Sequence, residues 1–206
     1  MIIIESKVLD KIKQIQGSSG ICDDMTVVRG YCDGGLIGPN SKGTGSVYGG
    51  TWAYVLVNQY DQIVSSAGGI VYPNMYDVKG ITNNVSEMYA MWKLLGQMPD
   101  RWSGDIYTDS MITAGRLFLE YGWRGVPSDL RTGTMAQRRR LGRVTFHLLD
   151  GHPTTQELIN GVGSRGHPVS IFNVMCDDLC NEFSAKFKID NFENGKFVGP
   201  RVVLDI

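Results

Sequence analysis

The spacing of apolar residues along the chain changes its period near residue 26. Before this point, apolar residues recur at helical spacing from Val8 to Ile15, and the run GSSG ends the pattern. This predicts a short amphipathic helix in an N-terminal extension, residues 1 to 25. From Thr26 onward, short connections join three apolar runs, TVVRGYCD, GGTWAYVLVNQ and QIVSSAGGIV. Their composition and spacing predict three strands of an antiparallel meander.

Helical and extended patterns alternate after the meander. A helical face begins behind the capping residues Asn83 and Asn84, and its members are Glu87, Ala90, Met91 and Leu94. The run GDIYTDS predicts a strand that ends in Asp109. A second helical stripe follows that strand from Met111 to Tyr121.

The second half of the chain predicts two more helices and a fifth strand. An Arg-rich connection spans residues 122 to 143 and carries a helical pattern around Met135 to Leu141. The run VTFHLLDGH predicts the fifth strand, and a Gly-rich loop with a short turn at TTQELIN leads to a last helix near Asn173. The tail contains RVVLDI, which predicts one more strand. We expect one domain over residues 26 to 190, between the extension and a tail at 191 to 206.

The composition and charge of the chain are typical of a globular protein with one hydrophobic core. The 206 residues are 42% hydrophobic and 20% charged, which is enough to bury a single good core. The opening MIII reaches Glu5 at once, and no later apolar run approaches the ~18 residues that a membrane span needs. We therefore expect a cytoplasmic protein without a membrane segment. The formal net charge is -1, so any electrostatic contact with nucleic acid must be local.

The four cysteines are better interpreted as buried thiols than as a disulfide framework. The chain is long and carries no secretory signal, so disulfides are not expected. Cys176 and Cys180 can face one another on a helix, but two thiolates are too few for a structural zinc site.

Four acids stand at the ends of predicted elements. Asp33 follows a strand, Glu87 opens a helix and Asp109 follows another strand, while Asp177 lies near the start of the last helix. The Asp-Gly pair at Asp33 is by itself also a common turn signal. Carboxylates brought together would repel and raise one another's pKa values, a penalty that divalent cations remove. Two Mg²⁺ ions about 4 Å apart activate a water and stabilise the departing oxygen in phosphodiester cleavage.

The sequence motifs around these acids resemble those of type 1 ribonuclease H, and the resemblance covers roughly residues 26 to 188. They are CDGG at Asp33, TNNVSE leading to Glu87, YTDS at Asp109 and NVMCDDLC at Asp177. The resemblance implies an α/β fold with a five-stranded mixed sheet and helices on both sides. It also implies that the four acids bind two Mg²⁺ ions, for which Mn²⁺ can substitute. The implied activity is cleavage of the RNA strand of an RNA-DNA hybrid.

The same family places a histidine on a mobile loop after the fifth strand, usually in a Gly-His pair. Gly151-His152 matches this position best, and Gly166-His167 competes with it because the loop here is longer than the family's usual form. Either histidine could instead be a loop residue without a catalytic duty. For His147, inside the strand, we expect a half-buried side chain that makes one hydrogen bond.

The resemblance also suggests residues that touch the sugars and phosphates of a hybrid. They are Asn40, Thr82, Asn83 and Asn84, for which turn formation and helix capping are equal alternatives. Bacterial family members carry a basic protrusion where this chain has Arg131, Arg138, Arg139, Arg140 and Arg143. Clustered arginines neutralise duplex phosphates, although a solvated helix end is the alternative. Met111 stands where the family often has glutamine, which leaves substrate preference open.

Two other functions remain open at this point. The same fold can carry a nuclease that cuts structured DNA, because a fold does not determine a substrate. It can also carry a nucleic-acid-binding module without catalysis, against which the presence of all four acids argues. The N-terminal extension could bind a protein partner.

Overall fold

The computed structural model describes residues 26 to 40 and 45 to 199. Seven strands lie in these ranges: β1 Arg29–Leu36, β2 Gly50–Val57, β3 Ile63–Val71, β4 Gly104–Thr108, β5 Val144–Leu148, β6 Phe192–Glu193 and β7 Lys196–Phe197. The helix predicted from Val8 to Ile15 and the strand predicted at RVVLDI lie outside the described residues.

Five α-helices complete the described fold: α1 Asn83–Gln97, α2 Met111–Phe118, α3 Ser128–Arg140, α4 Thr155–Asn160 and α5 Ile171–Asn191. Helix α3 begins seven residues before the predicted helix at Met135. The sequence pattern did not predict the first turns of α3, because the helix is polar and only Leu130 and Thr134 among its residues are buried. None of the described helices is long and apolar enough to cross a membrane.

The central sheet has five strands in the order β3-β2-β1-β4-β5. The first three strands pair antiparallel, whereas β4 pairs parallel with both β1 and β5. The prediction of a five-stranded mixed sheet with helices on both sides is therefore confirmed.

Alternating side chains bury both faces of the central strands. Tyr31 and Val55 belong to a core cluster shared with α5, and their neighbours Cys32 and Leu56 belong to a second cluster shared with α1. This follows from the two-residue period of a strand. Both faces need apolar side chains because each is covered by a helix.

The three described cysteines are buried and form no disulfide, as the sequence predicts. They are Cys32, Cys176 and Cys180. Cys22 lies outside the described residues.

The described part of the C-terminal tail packs on the domain. The hairpin formed by β6 and β7 brings Phe192 and Phe197 against Phe187 of α5 and against Tyr48. Tyr48 belongs to the connection between β1 and β2, so the hairpin joins the end of α5 to this connection.

The register of the sheet places Asp33 beside Asp109. The parallel ladder between β1 and β4 ends with Tyr31 opposite Tyr107, and each aspartate lies two residues further along its own chain. Residues two apart share a face of a strand, so the two acids leave the same face side by side. The sequence predicts that Asp33 follows a strand. The structure places Asp33 inside β1 instead, because β1 continues to Leu36 in its pairing with β2.

A close approach at Gly34 brings α1 onto the strand that carries Asp33. A Cβ atom at Gly34 would lie 2.4 Å from the backbone nitrogen of Glu87 and 2.4 Å from the carbonyl carbon of Ser86. Only glycine leaves room for the helix backbone here. The absence of a side chain at Gly34 therefore sets the distance between Glu87 and Asp33.

We predict that Gly34→Ala destabilises the protein by about 1–3 kcal/mol, the usual cost of overpacking a filled site. The new methyl group meets helix backbone, which cannot rotate away as a side chain can. The free energy of unfolding, measured by urea denaturation, checks this.

Gly96→Ala is the matched control. Gly96 lies in the last turn of α1, and no atom lies within 4 Å of an added Cβ. Alanine should stabilise the helix here by about 0.5–1 kcal/mol. If the two variants were equally stable, the close approach at Gly34 would be refuted.

Candidate metal centre

Three of the four predicted acids meet at one end of the sheet. Asp33 comes from β1, Glu87 from the first half of α1 and Asp109 from the residue after β4. One carboxylate oxygen from each residue lies within 4.8 Å of the others. Thr82 begins α1 by accepting a hydrogen bond from the backbone N–H of Val85, and this cap sets the position of Glu87 on the first turns.

Burial and mutual repulsion make the charged forms of these acids costly. Asp33 is 6% exposed and Glu87 is 5% exposed. Burial, followed by the charges of Asp109 and Asp177, raises the pKa of Asp33 to about 7. Burial and the charges of Asp33 and Asp109 raise the pKa of Glu87 well above its ordinary value. Burial also raises the pKa of Asp109.

The protein offers these carboxylates few hydrogen bonds in return. The backbone N–H of Gly34 donates to Asp33 Oδ1 at 2.7 Å, and Asn83 Nδ2 lies 3.5 Å from Glu87 Oε1. Glu87 Oε2 is buried and has no hydrogen-bond partner among the described residues. Close, under-satisfied carboxylate oxygens are the donor set that Mg²⁺ or Mn²⁺ prefers. The residues therefore fit a divalent cation.

Asp177 and His152 line the same cleft as the group of three acids. The cleft has a volume of about 600 Å³ and is lined by all four acids together with His152. Asp177 stands on α5, and its Oδ2 lies 3.4 Å from His152 Nδ1. The side chain of His152 is 76% exposed, and its φ of 52° is unusual for a residue other than glycine. Asp177 adds a fourth carboxylate at the rim, outside the group of three.

The other two histidines lie in different surroundings. His167 is not among the residues that line the cleft, and its carbonyl accepts the N–H of Gly163 inside the long loop. His147 stacks on Tyr107 and places Nε2 2.8 Å from Asp105 Oδ1. The geometry thus brings His152, and neither of the others, to the acids.

The predicted sugar and phosphate contacts are divided in the structure. Asn83 is exposed and lines the cleft, whereas Asn84 is half-buried. Thr82 caps α1. Asn40 is exposed at the end of the first described stretch.

The arginines of α3 have different roles. Arg140 donates from Nη2 to the carbonyl of Leu95 at 2.7 Å, and its Nη1 contacts the carbonyl of Met98, so it joins α3 to the end of α1. Arg138 lies over the ring of Phe118 at 5.2 Å, and Arg139 is exposed. The guanidinium of Arg140 is therefore engaged in joining the two helices.

Two polar residues near the acids did not stand out in the sequence. Asn173 is 2% exposed and lies beside Asp33, Asp109 and His152, and its Oδ1 is buried without a hydrogen-bond partner among the described residues. Its position four residues before Asp177, on the same helical face, is a signal that could have identified it. Arg165 also lines the cleft, and no local pattern marks it.

We predict that Asp33→Asn increases the stability of the metal-free protein at high pH. An acid whose pKa is raised on folding stabilises the folded state below its ordinary pKa, and this contribution disappears as the pH rises through about 7. Because one pKa unit corresponds to about 1.4 kcal/mol, the penalty at pH 8 is at most about 4 kcal/mol. Thermal melts in a chelator from pH 5 to pH 8 measure it.

Asp190→Asn removes the same charge from an exposed site near the end of α5 and serves as the control. Its melting temperature should follow that of the wild type at every pH. A variant at Asp33 that is less stable than the wild type at pH 8 in chelator would contradict the repulsion. Added Mg²⁺ should stabilise the wild type more than Asp33→Asn.

No protein-family model matches the sequence, and no curated protein matches it either. Solved structures do match. The N-terminal RNase H domain of rv2228c from Mycobacterium tuberculosis matches with a TM-score of 0.54 at 12% identity, over 79% of this chain and 98% of the other. LC11-RNase H1, isolated from compost by a metagenomic approach, matches with a TM-score of 0.50 at 16% identity, over 77% and 95%.

These likenesses agree with the strand order and with the helices on both faces of the sheet. The chain therefore has the ribonuclease H-like fold.

Proposed function

We propose that this protein is a metal-dependent endoribonuclease that hydrolyses the RNA strand of RNA-DNA hybrids. The observation that carries the proposal is the group of three carboxylates within 4.8 Å, which shares an open cleft with Asp177 and His152. In a ribonuclease H-like fold this is the arrangement that the sequence resemblance implies for the activity.

The acids have the task of holding divalent cations against the scissile phosphate. Asp33, Glu87 and Asp109 provide the group of three, and Asp177 contributes a fourth carboxylate from α5. Bound Mg²⁺ ions would supply an activated water and stabilise the charge on the departing oxygen. Asn83 Nδ2 beside Glu87 Oε1, together with the N–H of Gly34 on Asp33 Oδ1, orients the carboxylates before any cation arrives.

His152 is suited to transferring a proton at the edge of the site. Its ring is exposed to solvent, and Asp177 Oδ2 lies 3.4 Å from Nδ1, so the carboxylate can orient the ring. A proton can then pass from Nε2 to the leaving oxygen or to water.

The binding surface extends from the cleft along the ends of β1 and α1. We assign contacts with sugars and phosphates to Asn40, Thr82, Asn83 and Asn84, and phosphate contacts at α3 to Arg138 and Arg139. A hybrid presents 2'-hydroxyls in a wide, shallow groove, which short polar side chains can reach. Met111 lines the cleft and is 47% exposed, so an apolar group meets the substrate where the family often has glutamine.

A substrate panel tests the proposed function. Matched RNA-DNA hybrid, double-stranded RNA, double-stranded DNA and a four-way DNA junction should be assayed with Mg²⁺, with Mn²⁺ and with chelator. Metal-dependent cleavage of the RNA in the hybrid alone is expected. Cleavage of the DNA junction in preference would favour a nuclease for structured DNA, and binding without cleavage would favour a non-catalytic module.

We predict that Asp33→Asn and Asp109→Asn each abolish cleavage without unfolding the protein. Each substitution removes a metal-binding charge and changes the side-chain volume little. Cleavage rates at saturating substrate, with circular dichroism to verify folding, measure the effect. Full activity in either variant would refute the metal centre.

We predict that His152→Ala lowers turnover by about 100-fold or more, the usual contribution of a general acid or base. The Mg²⁺ dependence should stay near normal, because the acids hold the cations. His167→Ala should be mild by comparison and is the matched control on the same loop. A severe defect in His167→Ala with an active His152→Ala would reverse the assignment.

A further inference from the structure

We propose that Arg165 binds a phosphate group of the nucleic-acid strand in the cleft and so positions that strand over the acids. The inference rests on the proposed function and adds a residue to the same site. Arg165 belongs to the long loop between β5 and α5, at residues 149 to 170, and its side chain lines the cleft together with Asp33, Glu87 and Asp109.

A buried carboxylate holds Arg165 in place. Asp150 is 3% exposed, its Oδ2 accepts the backbone N–H of Arg165 at 2.8 Å, and its Oδ1 accepts the Nε–H of the same residue at 2.8 Å. One acid thus fixes both the backbone and the side chain of Arg165. The N–H of Asp150 donates to the carbonyl of Pro168 at 2.9 Å, which connects the carboxylate to the end of the loop.

The loop is folded closely around this carboxylate. A Cβ atom at Gly163 would lie 2.4 Å from Asp150 Oδ2, so the backbone there needs glycine. Earlier in the loop, Thr154 and Glu157 form a reciprocal capping box at the start of α4. These contacts hold Arg165 in a defined position before any substrate binds. The loss of conformational entropy on binding is therefore smaller.

The guanidinium keeps most of its hydrogen-bonding capacity for a ligand. Arginine has five N–H donors, and the contact with Asp150 uses only Nε–H, while the side chain remains 62% exposed. Among the described residues, its one ion pair is with Asp150 and not with the acids of the centre. Since Arg165 lines the cleft, Nη donors that make no contact shown among the described residues can serve a ligand there.

Phosphate is the ligand that fits these donors. The planar fork of arginine matches two phosphate oxygens, and such charged hydrogen bonds are the strong ones. With a formal net charge of -1, the protein has no general attraction for a polyanion. A fixed cation next to four acids supplies this attraction at the point where the strand must enter.

Arg165→Gln is the first test, with Lys188→Gln as a matched control. Lys188 is exposed on α5, eleven residues and about 16 Å along the helix from Asp177, and its replacement changes the net charge equally. Arg165→Gln should raise KM for the hybrid by about 10-fold or more and reduce the salt slope of binding by about one. Lys188→Gln should change neither quantity.

Metal binding separates a phosphate contact from a merely structural role. Removing a positive charge from the cleft should leave Mg²⁺ affinity unchanged or increase it, as measured by the rise in melting temperature during Mg²⁺ titration. A weaker Mg²⁺ affinity, or a KM equal to that of the wild type, would overturn the inference. Arg165→Lys keeps the charge without the fork, so it should retain the full salt slope with an intermediate KM. If Arg165→Lys had the same KM as the wild type, the two-donor contact between the guanidinium and phosphate would be refuted. This measurement remains possible even if Arg165→Gln fails to fold.

Binding without cleavage distinguishes this inference from the proposed function. Fluorescence anisotropy of a labelled hybrid should be compared between Asp33→Asn and the double variant Asp33→Asn/Arg165→Gln. Weaker binding by the double variant would support the phosphate contact, whether or not the wild-type protein cleaves the hybrid. An absence of cleavage by the wild-type protein would refute only the proposed nuclease activity. Equal binding by the two proteins would refute the role of Arg165 and leave the nuclease proposal intact.

Discussion

Repulsion among three close carboxylates, of which Asp33 and Glu87 are buried, determines what the fold must hold in place. Asp33, Glu87 and Asp109 place oxygens within 4.8 Å of one another, and burial is the first cause that raises the pKa of each. The charges of neighbouring carboxylates, including Asp177, add to this increase. Such a group costs stability when no cation is bound, so the fold must hold it in place. The core clusters on both faces of the sheet and the backbone contact at Gly34 do this.

The three acids come from strand β1, from helix α1 and from the residue after β4, and two contacts position them. The parallel ladder between β1 and β4 aligns Asp33 with Asp109. Helix α1 lies against β1 because Gly34 has no side chain, and this contact brings Glu87 to the other two. A change in the strand register or in the helix distance would therefore disperse the group without altering any of the acids.

The rim of the cleft carries the groups that compensate the acids electrostatically. Burial raises the pKa of Asp109, and the charges of His152 and Arg165 oppose this increase. Both residues come from the same long loop, which Asp150 fastens near the end of β5. The length of this loop thus has a structural consequence, since the loop brings both His152 and Arg165 into the cleft that the acids line.

The elements of this fold were largely predictable from local patterns. Alternation identified the meander, and helical spacing identified α1, α2 and α5, because these patterns reflect which side of an element is buried. The sequence motifs around Asp33, Glu87, Asp109 and Asp177 predicted that these acids share one site. In the structure the first three form a close group, and Asp177 lines the same cleft. The sequence also predicted one half-buried hydrogen bond for His147, which the structure shows with Asp105.

Local patterns therefore predict most of the elements and the acids that they carry. Long-range contacts place Asp33 inside β1 and Arg140 against the end of α1, and they bring His152 and Arg165 to the cleft while His167 lies elsewhere. Each of these outcomes depends on contacts between residues far apart in the chain. Local spacing carries no information about such contacts, because they arise only when the strands are in register and the loop has closed around Asp150.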